Sequence, residues 1–142
     1  MTKSAYLENA ILNLLFSGTS ITGLAEDQVT TPLTNLWVSL HKGTLDDAST
    51  AVTNECAYGD YAREALNRGT GWTTSTTGSI GPVANIDFTA ASSGTETVTH
   101  FAIVDSASGA GNILYWGTVA PNISVVTGVT PRLTTATAIT ED

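Results

Sequence analysis

Residues 100–119, His-Phe-Ala-Ile-Val-Asp-Ser-Ala-Ser-Gly-Ala-Gly-Asn-Ile-Leu-Tyr-Trp-Gly-Thr-Val, constrain the fold more than any other stretch of the chain. Two arms, Phe101 to Val104 and Ile113 to Val119, are rich in β-branched and aromatic side chains and apolar on both faces. They read as a strand pair covered on both sides. Between them, Ser106 to Gly111 is small enough to reverse the chain. Asp105 and Asn112 stand at its two ends, where their side chains can bond nearby backbone groups.

The surroundings of this hairpin are also strand-like. Leu33 to His41 alternates, with Leu36, Val38 and Leu40 on one side and Trp37, Ser39 and His41 on the other, which predicts a half-buried strand. Val83 to Thr89 alternates as well, and Asn122 to Thr127 and Arg132 to Ile139 are Thr/Val/Ile-rich segments separated by Gly128-Val-Thr-Pro131. The first 17 residues differ: Tyr6, Leu7, Ala10, Ile11, Leu14 and Leu15 form one stripe at helical spacing, with Ser4 placed to cap the start and Gly18 to end it. Thr44 to Gly59 reads as a long polar surface loop, and Gly69 to Gly81 as an irregular loop around Trp72. Tyr61 to Arg68 is ambiguous; propensity alone favours a short helix.

The expected fold is therefore mainly β, an antiparallel β-sandwich (jelly-roll or Ig-like) of about six to eight strands with one amphipathic N-terminal helix. A chain of 142 residues suits a single domain, 1–142, with the helix over 1–18 and the sandwich over 33–140. Charged residues make up only 13% of the chain, about half the usual fraction, so exposed faces must be covered by Thr, Ser, Asn and Gly.

Five basic residues against 13 acidic ones give a net charge of −8, which disfavours nucleic acid and anionic membranes as partners. No apolar run is long enough to span a bilayer, and the first residues lack signal-peptide features; synthesis in the cytoplasm is expected. Cys56 is the sole cysteine, which rules out an intrachain disulfide and a cysteine-rich zinc site. Asp105 to Asn112 has oxygen-bearing side chains at alternate positions, but one carboxylate and no terminal Glu make a poor calcium loop. His41 and His100 have no second ligand at useful spacing, and Asp46-Asp47 reads as a solvated pair. The chain has no Gly-x-Ser-x-Gly elbow and no phosphate-cradling loop. No catalytic residue, cofactor or metal is expected. Asn122-Ile-Ser124 fits a glycosylation acceptor by accident of sequence. Of the three tryptophans, Trp37 and Trp116 lie in strands and are assigned to the core; Trp72, flanked by glycines, is the candidate partner contact.

Several segments, in order, carry a family resemblance: Tyr6-Leu-Glu-Asn-Ala-Ile-Leu12, Leu36-Trp-Val-Ser-Leu-His41, Tyr61-Ala-Arg63, Asn85-Ile-Asp-Phe88, Val98-Thr-His-Phe-Ala-Ile-Val-Asp105, Leu114-Tyr-Trp-Gly117 and Gly128-Val-Thr-Pro-Arg132. The chain resembles small tailed-bacteriophage structural proteins, which are tail-fibre-like or act as head decoration or cement proteins. It departs from their pattern at Ala102 and Val104, and at Glu96-Thr97, where Trp-Gly is usual. The resemblance implies a strand beginning near Tyr61. It also implies a non-enzymatic virion protein, first of all a capsid decoration or cement protein contacting the major capsid protein, other virion proteins and copies of itself. The alternative is a tail-fibre or baseplate module binding a host receptor or glycan.

Overall fold

A computed structural model describes residues 3–21, 24–25 and 32–141. The chain forms two compact, interleaved units. The first comprises Met1–Asn35, Leu66–Asn85 and Leu133–Asp142; the second comprises Leu36–Ala65 and Ile86–Arg132. One helix, α1 (Ala5–Ser17), precedes eight strands: β1 (Asn35–His41), β2 (Glu64–Asn67), β3 (Ser79–Ile80), β4 (Ile86–Asp87), β5 (Thr95–Val104), β6 (Ile113–Val126), β7 (Arg132–Leu133) and β8 (Ile139–Thr140). The fold is mainly β with antiparallel sheets, as the alternating segments predict.

In the first unit, α1 starts and stops at the expected residues. Ser4 Oγ accepts from the Leu7 amide, and Gly18, at φ 64°, closes the end with amide bonds back to the last turn. No basic residue lies in that last turn. Arg68 supplies the missing cation, donating from Nε to the Leu15 carbonyl at 2.8 Å and from Nη2 to the Leu14 carbonyl at 2.8 Å.

The buried face of α1 is rotated from the predicted stripe. Leu12 and Phe16 are fully buried, whereas Tyr6 is 66% exposed. Two asparagines turn the helix. Asn13 exchanges bonds with the backbone of Ser75, and Asn9 Oδ1 accepts from Ser75 Oγ and from the Gly78 amide at 2.7 Å. These polar contacts satisfy loop backbone that would otherwise be orphaned. A short ladder, Ser79↔Thr140 and Ile80↔Ile139, completes the unit.

The second unit centres on a four-stranded sheet in the order β2-β1-β5-β6. Central strand β5 pairs Val38 with Ile103 and Leu40 with Phe101 on one side; on the other it pairs Ile103 with Tyr115 and Phe101 with Gly117. Here β1 departs from expectation. Its polar face is as buried as its apolar one, with Ser39 and His41 both fully enclosed. The predicted surface loop supplies the cover: Leu45 and Ala51 pack with Ala102 and Val104, flanked by Trp37 and Ile113. Beside the sheet runs an aromatic row, Tyr58 edge-on to Tyr61 at 5.2 Å and Tyr61 stacked on Phe88 at 6.4 Å.

Three other expectations change. Tyr61 to Arg68 holds strand β2 rather than a helix, as the resemblance implied. The segments 113–119 and 122–127 are one strand, β6, with an irregularity where four residues, 119–122, stand opposite Thr99 alone. Arg132 to Ile139 is not a strand throughout. Only its ends pair, because Thr134 and Asn85 side chains take up the Ala136 and Thr135 amides and turn the chain between them.

Replacing Ile103, on the central strand and fully buried, by Ala is expected to destabilise the protein by about 2–5 kcal/mol. Val83→Ala, at an exposed position, is expected to stay within about 0.5 kcal/mol of the parent. Urea denaturation compares the two, and equal losses would contradict this placement of the core.

Candidate interaction surface

The hairpin turn has too little apolar bulk to hold its own shape, and Arg63 holds it instead. The Arg63 side chain is 2% exposed and lies against Glu55 in a two-pronged ion pair, Nε to Oε1 at 2.7 Å and Nη2 to Oε2 at 2.8 Å. Its remaining donors reach the turn. Nη1 bonds the Ser106 carbonyl and hydroxyl, each at 2.9 Å, and Nη2 bonds the Gly109 carbonyl at 2.8 Å and the Ala51 carbonyl at 3.3 Å. The Glu55 carboxylate raises the guanidinium pKa further above its ordinary value.

Tyr61 extends the network. Its oxygen accepts from the Leu40 amide at 3.0 Å and its hydroxyl donates to Glu55 Oε1 at 3.1 Å. Burial drives its pKa well above the phenol range, so it remains a donor. At the foot of the turn, Asp105 accepts from the Asn112 amide at 2.8 Å and from its side-chain amide at 2.6 Å. The carboxylate that headed the poor calcium loop is thus committed to closing the turn. Gly111 is required there, since a Cβ would stand 2.0 Å from Ser106 Oγ.

Ser39, His41 and Cys56 are enclosed. Ser39 Oγ lies 2.8 Å from His41 Nε2, and His41 Nδ1 lies 2.8 Å from the Thr53 carbonyl. Because a carbonyl only accepts, Nδ1 carries the proton and Nε2 accepts from the serine. This resembles a nucleophile and base, yet both side chains are fully buried, and the third partner is a carbonyl rather than a carboxylate. Cys56 is buried too, and burial pushes its thiol up to about 12, far from a reactive thiolate.

All five cations of the chain are engaged internally. Besides Arg63 and Arg68, Lys3 pairs with Glu141, Lys42 with Glu96 and Arg132 with Asp87. Glu96, one of the departures from the resembled pattern, also accepts from the Ala57 amide at 2.9 Å, tying the covering loop to β5. No basic patch is left to track phosphates. Among the described residues no group of three or more His, Cys, Asp or Glu side chains is arranged to hold a metal.

The tryptophans exchange the roles assigned to them. Trp72, the candidate partner contact, is only 5% exposed and meets Phe16 edge-on at 4.7 Å. Its glycine-flanked loop is drawn onto the helix because the indole fills the space above Phe16. Trp116, assigned to the core, is 40% exposed. It sits on β6, at the edge of the sheet, where side chains at Trp116, Thr118, Ala120, Asn122, Ser124 and Val126 are all exposed. The sequence shows that β6 is apolar but does not show that it comes last in the sheet order.

A family model described as podophage GP4 fiber I protein gp80 matches residues 2–140. The chain belongs to the gp80 family. Its fold is therefore that of a bacteriophage structural protein of tail-fibre-like type, with other virion proteins as its partners and the virion as its location. No curated protein matches the sequence. Within this gp80-family fold, Tyr61-Ala-Arg63, quoted above for resemblance alone, contributes the tyrosine and arginine of the buried network.

Arg63→Ala is expected to cost about 3–5 kcal/mol, because it strands the Glu55 carboxylate. Hydrogen exchange should then show lost protection around residues 105–112, and unchanged exchange there would show that the turn does not depend on Arg63.

His41 gives a pH signature. Burial lowers its pKa below 6.5, outweighing the Thr53 bond and Glu55, which raise it; Arg63 and His100 act in the same direction as burial. As pH falls below 6.5, the unfolded chain takes up a proton that the native chain refuses, so stability declines until the folded pKa is passed. Denaturation midpoints should fall between pH 7 and pH 5, and His41→Gln should flatten that fall. A parallel fall in the variant would assign it to other groups.

Proposed function

We propose that this chain is a non-enzymatic structural subunit of a podophage fibre, acting through contacts with other virion proteins. The observation that carries the reading is the match of a fibre-protein family over residues 2–140. The chemistry of the fold supports it. Ser39, His41 and Cys56 are enclosed, and the cations are spent on internal bonds. What the chain presents outward is mostly uncharged polar surface with a net acidic charge.

Capsid decoration, the first expectation from the sequence, ranks second here because the family description names a fibre. No feature of the sheet or of α1 favours the shell over it.

Counting copies per purified particle by quantitative mass spectrometry, with antibody labelling in the electron microscope, tests the assignment. Tens of copies with label confined to fibres is the expected result. Hundreds of copies in fixed ratio to the major capsid protein, with label over the whole shell, would overturn the fibre assignment in favour of decoration.

A further inference from the structure

We propose that a cavity beside α1, walled by Tyr6, holds one neutral pyranose ring, the terminal residue of a glycan. The inference concerns the first unit alone and is independent of where on the virion the subunit sits.

The cavity follows from the way α1 ends. Gly18 turns the chain back in the left-handed conformation, and the Thr19 amide then bonds the Asn13 carbonyl at 3.1 Å, which holds the returning chain against the helix. Between the two lies a cavity of about 310 Å³, lined by Tyr6, Asn9, Ala10 and Asn13 of α1 and, on the returning side, by Thr19 and Ile21 among others. Ligand cavities run from roughly 300 to 1,000 Å³, so this one has room for a single ring.

A pyranose has an apolar face of C–H groups and a rim of hydroxyls, and the lining offers a partner for each. Tyr6 supplies the aromatic wall. It is 66% exposed on a helix whose Leu12 and Phe16 are fully buried, and neither its ring nor its hydroxyl is engaged by another described residue. The two asparagines supply the polar side. Their Oδ1 atoms are held by Ser75 and, for Asn9, by Gly78 as well, so both amides are fixed before a ligand arrives. Asn9 Nδ2 gives one hydrogen to the Ala5 carbonyl at 2.8 Å, and Asn13 Nδ2 gives one to the Ser75 carbonyl at 3.1 Å. The second hydrogen of each amide has no acceptor among the described residues.

Charge and shape select the occupant. No residue lining the cavity is charged, and on a chain of net charge −8 whose cations are all engaged internally, an anionic sugar finds no counter-ion. A purely apolar ligand would cover the two spare amide hydrogens without bonding them. An open-chain polyol carries the hydroxyls but no rigid face for Tyr6, and loses more conformational freedom on binding. A neutral ring with one apolar face meets each of these demands.

Amide NMR of the intact chain tests this, with the methyl glycosides of glucose, galactose and mannose and with N-acetylglucosamine as probes. Each is added up to roughly 50 mM, above the millimolar affinity expected of a single ring. At least one probe should shift the Ala10, Thr19 and Ile21 amides saturably and leave the amides of the second unit in place. Sorbitol, which has the hydroxyls without the ring, and cyclohexanol, which has the ring without the hydroxyl rim, should both bind more weakly than the best glycoside. Tyr6→Ala should weaken binding roughly tenfold, the loss of one aromatic contact, whereas Tyr6→Phe should retain it. Trp116→Ala removes a second exposed ring, on β6, and should leave binding unchanged. Because the Tyr6 side chain is exposed, its variants should keep the parent's thermal midpoint, which checks that they are folded. No shift with any of the four sugars, equal binding of sorbitol or cyclohexanol, or undiminished binding by folded Tyr6→Ala would each overturn the proposal.

Discussion

A single buried guanidinium sets the shape of the second unit. Arg63 reaches three stretches of chain: Ala51 to Glu55, which cover the polar face of β1; the turn Ser106 to Gly109; and, through Glu55, the Tyr61 hydroxyl and the Leu40 amide. Burying the ion is costly unless its donors are occupied, and here every side of the planar group has an acceptor. Lysine would leave the fork geometry unmet. Fixing the turn in turn fixes the start of β6, because Asp105 and Asn112 close the hairpin immediately before Ile113.

The same economy of cations runs through the first unit, where Arg68 neutralises the carbonyl end of α1. A chain with so few cations places two of them where backbone carbonyls converge and pairs the other three with carboxylates. Eight negative charges are left unbalanced. Such a charge balance resists unspecific association with nucleic acid.

Local chemistry was readable from the chain alone. The Ser4 and Gly18 caps, the extended conformation of β1, the hairpin around Ser106 to Gly111 and the bonding of Asp105 with Asn112 all depend on residues close in sequence. What escaped depends on distant partners. The face of α1 is chosen by Ser75 and Gly78 rather than by its own apolar stripe. Whether the loop 44–59 lies open or covers β1 depends on Leu45 and Ala51 meeting Ala102 and Val104. Tyr61-Ala-Arg63 carried no visible role until Glu55 and Ser106 were placed beside it, and only the resemblance drew attention to it.

The tryptophans show why sequence order and sheet order must be read separately. Trp72 sits in polar, glycine-rich surroundings and is buried; Trp116 sits in a strand apolar on both faces and is exposed. A doubly apolar strand indicates that both of its faces are suited to cover, not that one chain supplies it. In β5 one face is covered from within the chain, by Leu45 and Ala51 packed on Ala102 and Val104. In β6, at the sheet edge, Ile113 to Val119 is half-buried on one face while Trp116 and Thr118 stand exposed on the other. The strand is uncharged, with Gly117 midway between Trp116 and Thr118. An uncharged strand at a sheet edge leaves a row of unpaired backbone groups, and here the bulge at 119–122 and Pro121 interrupt that row.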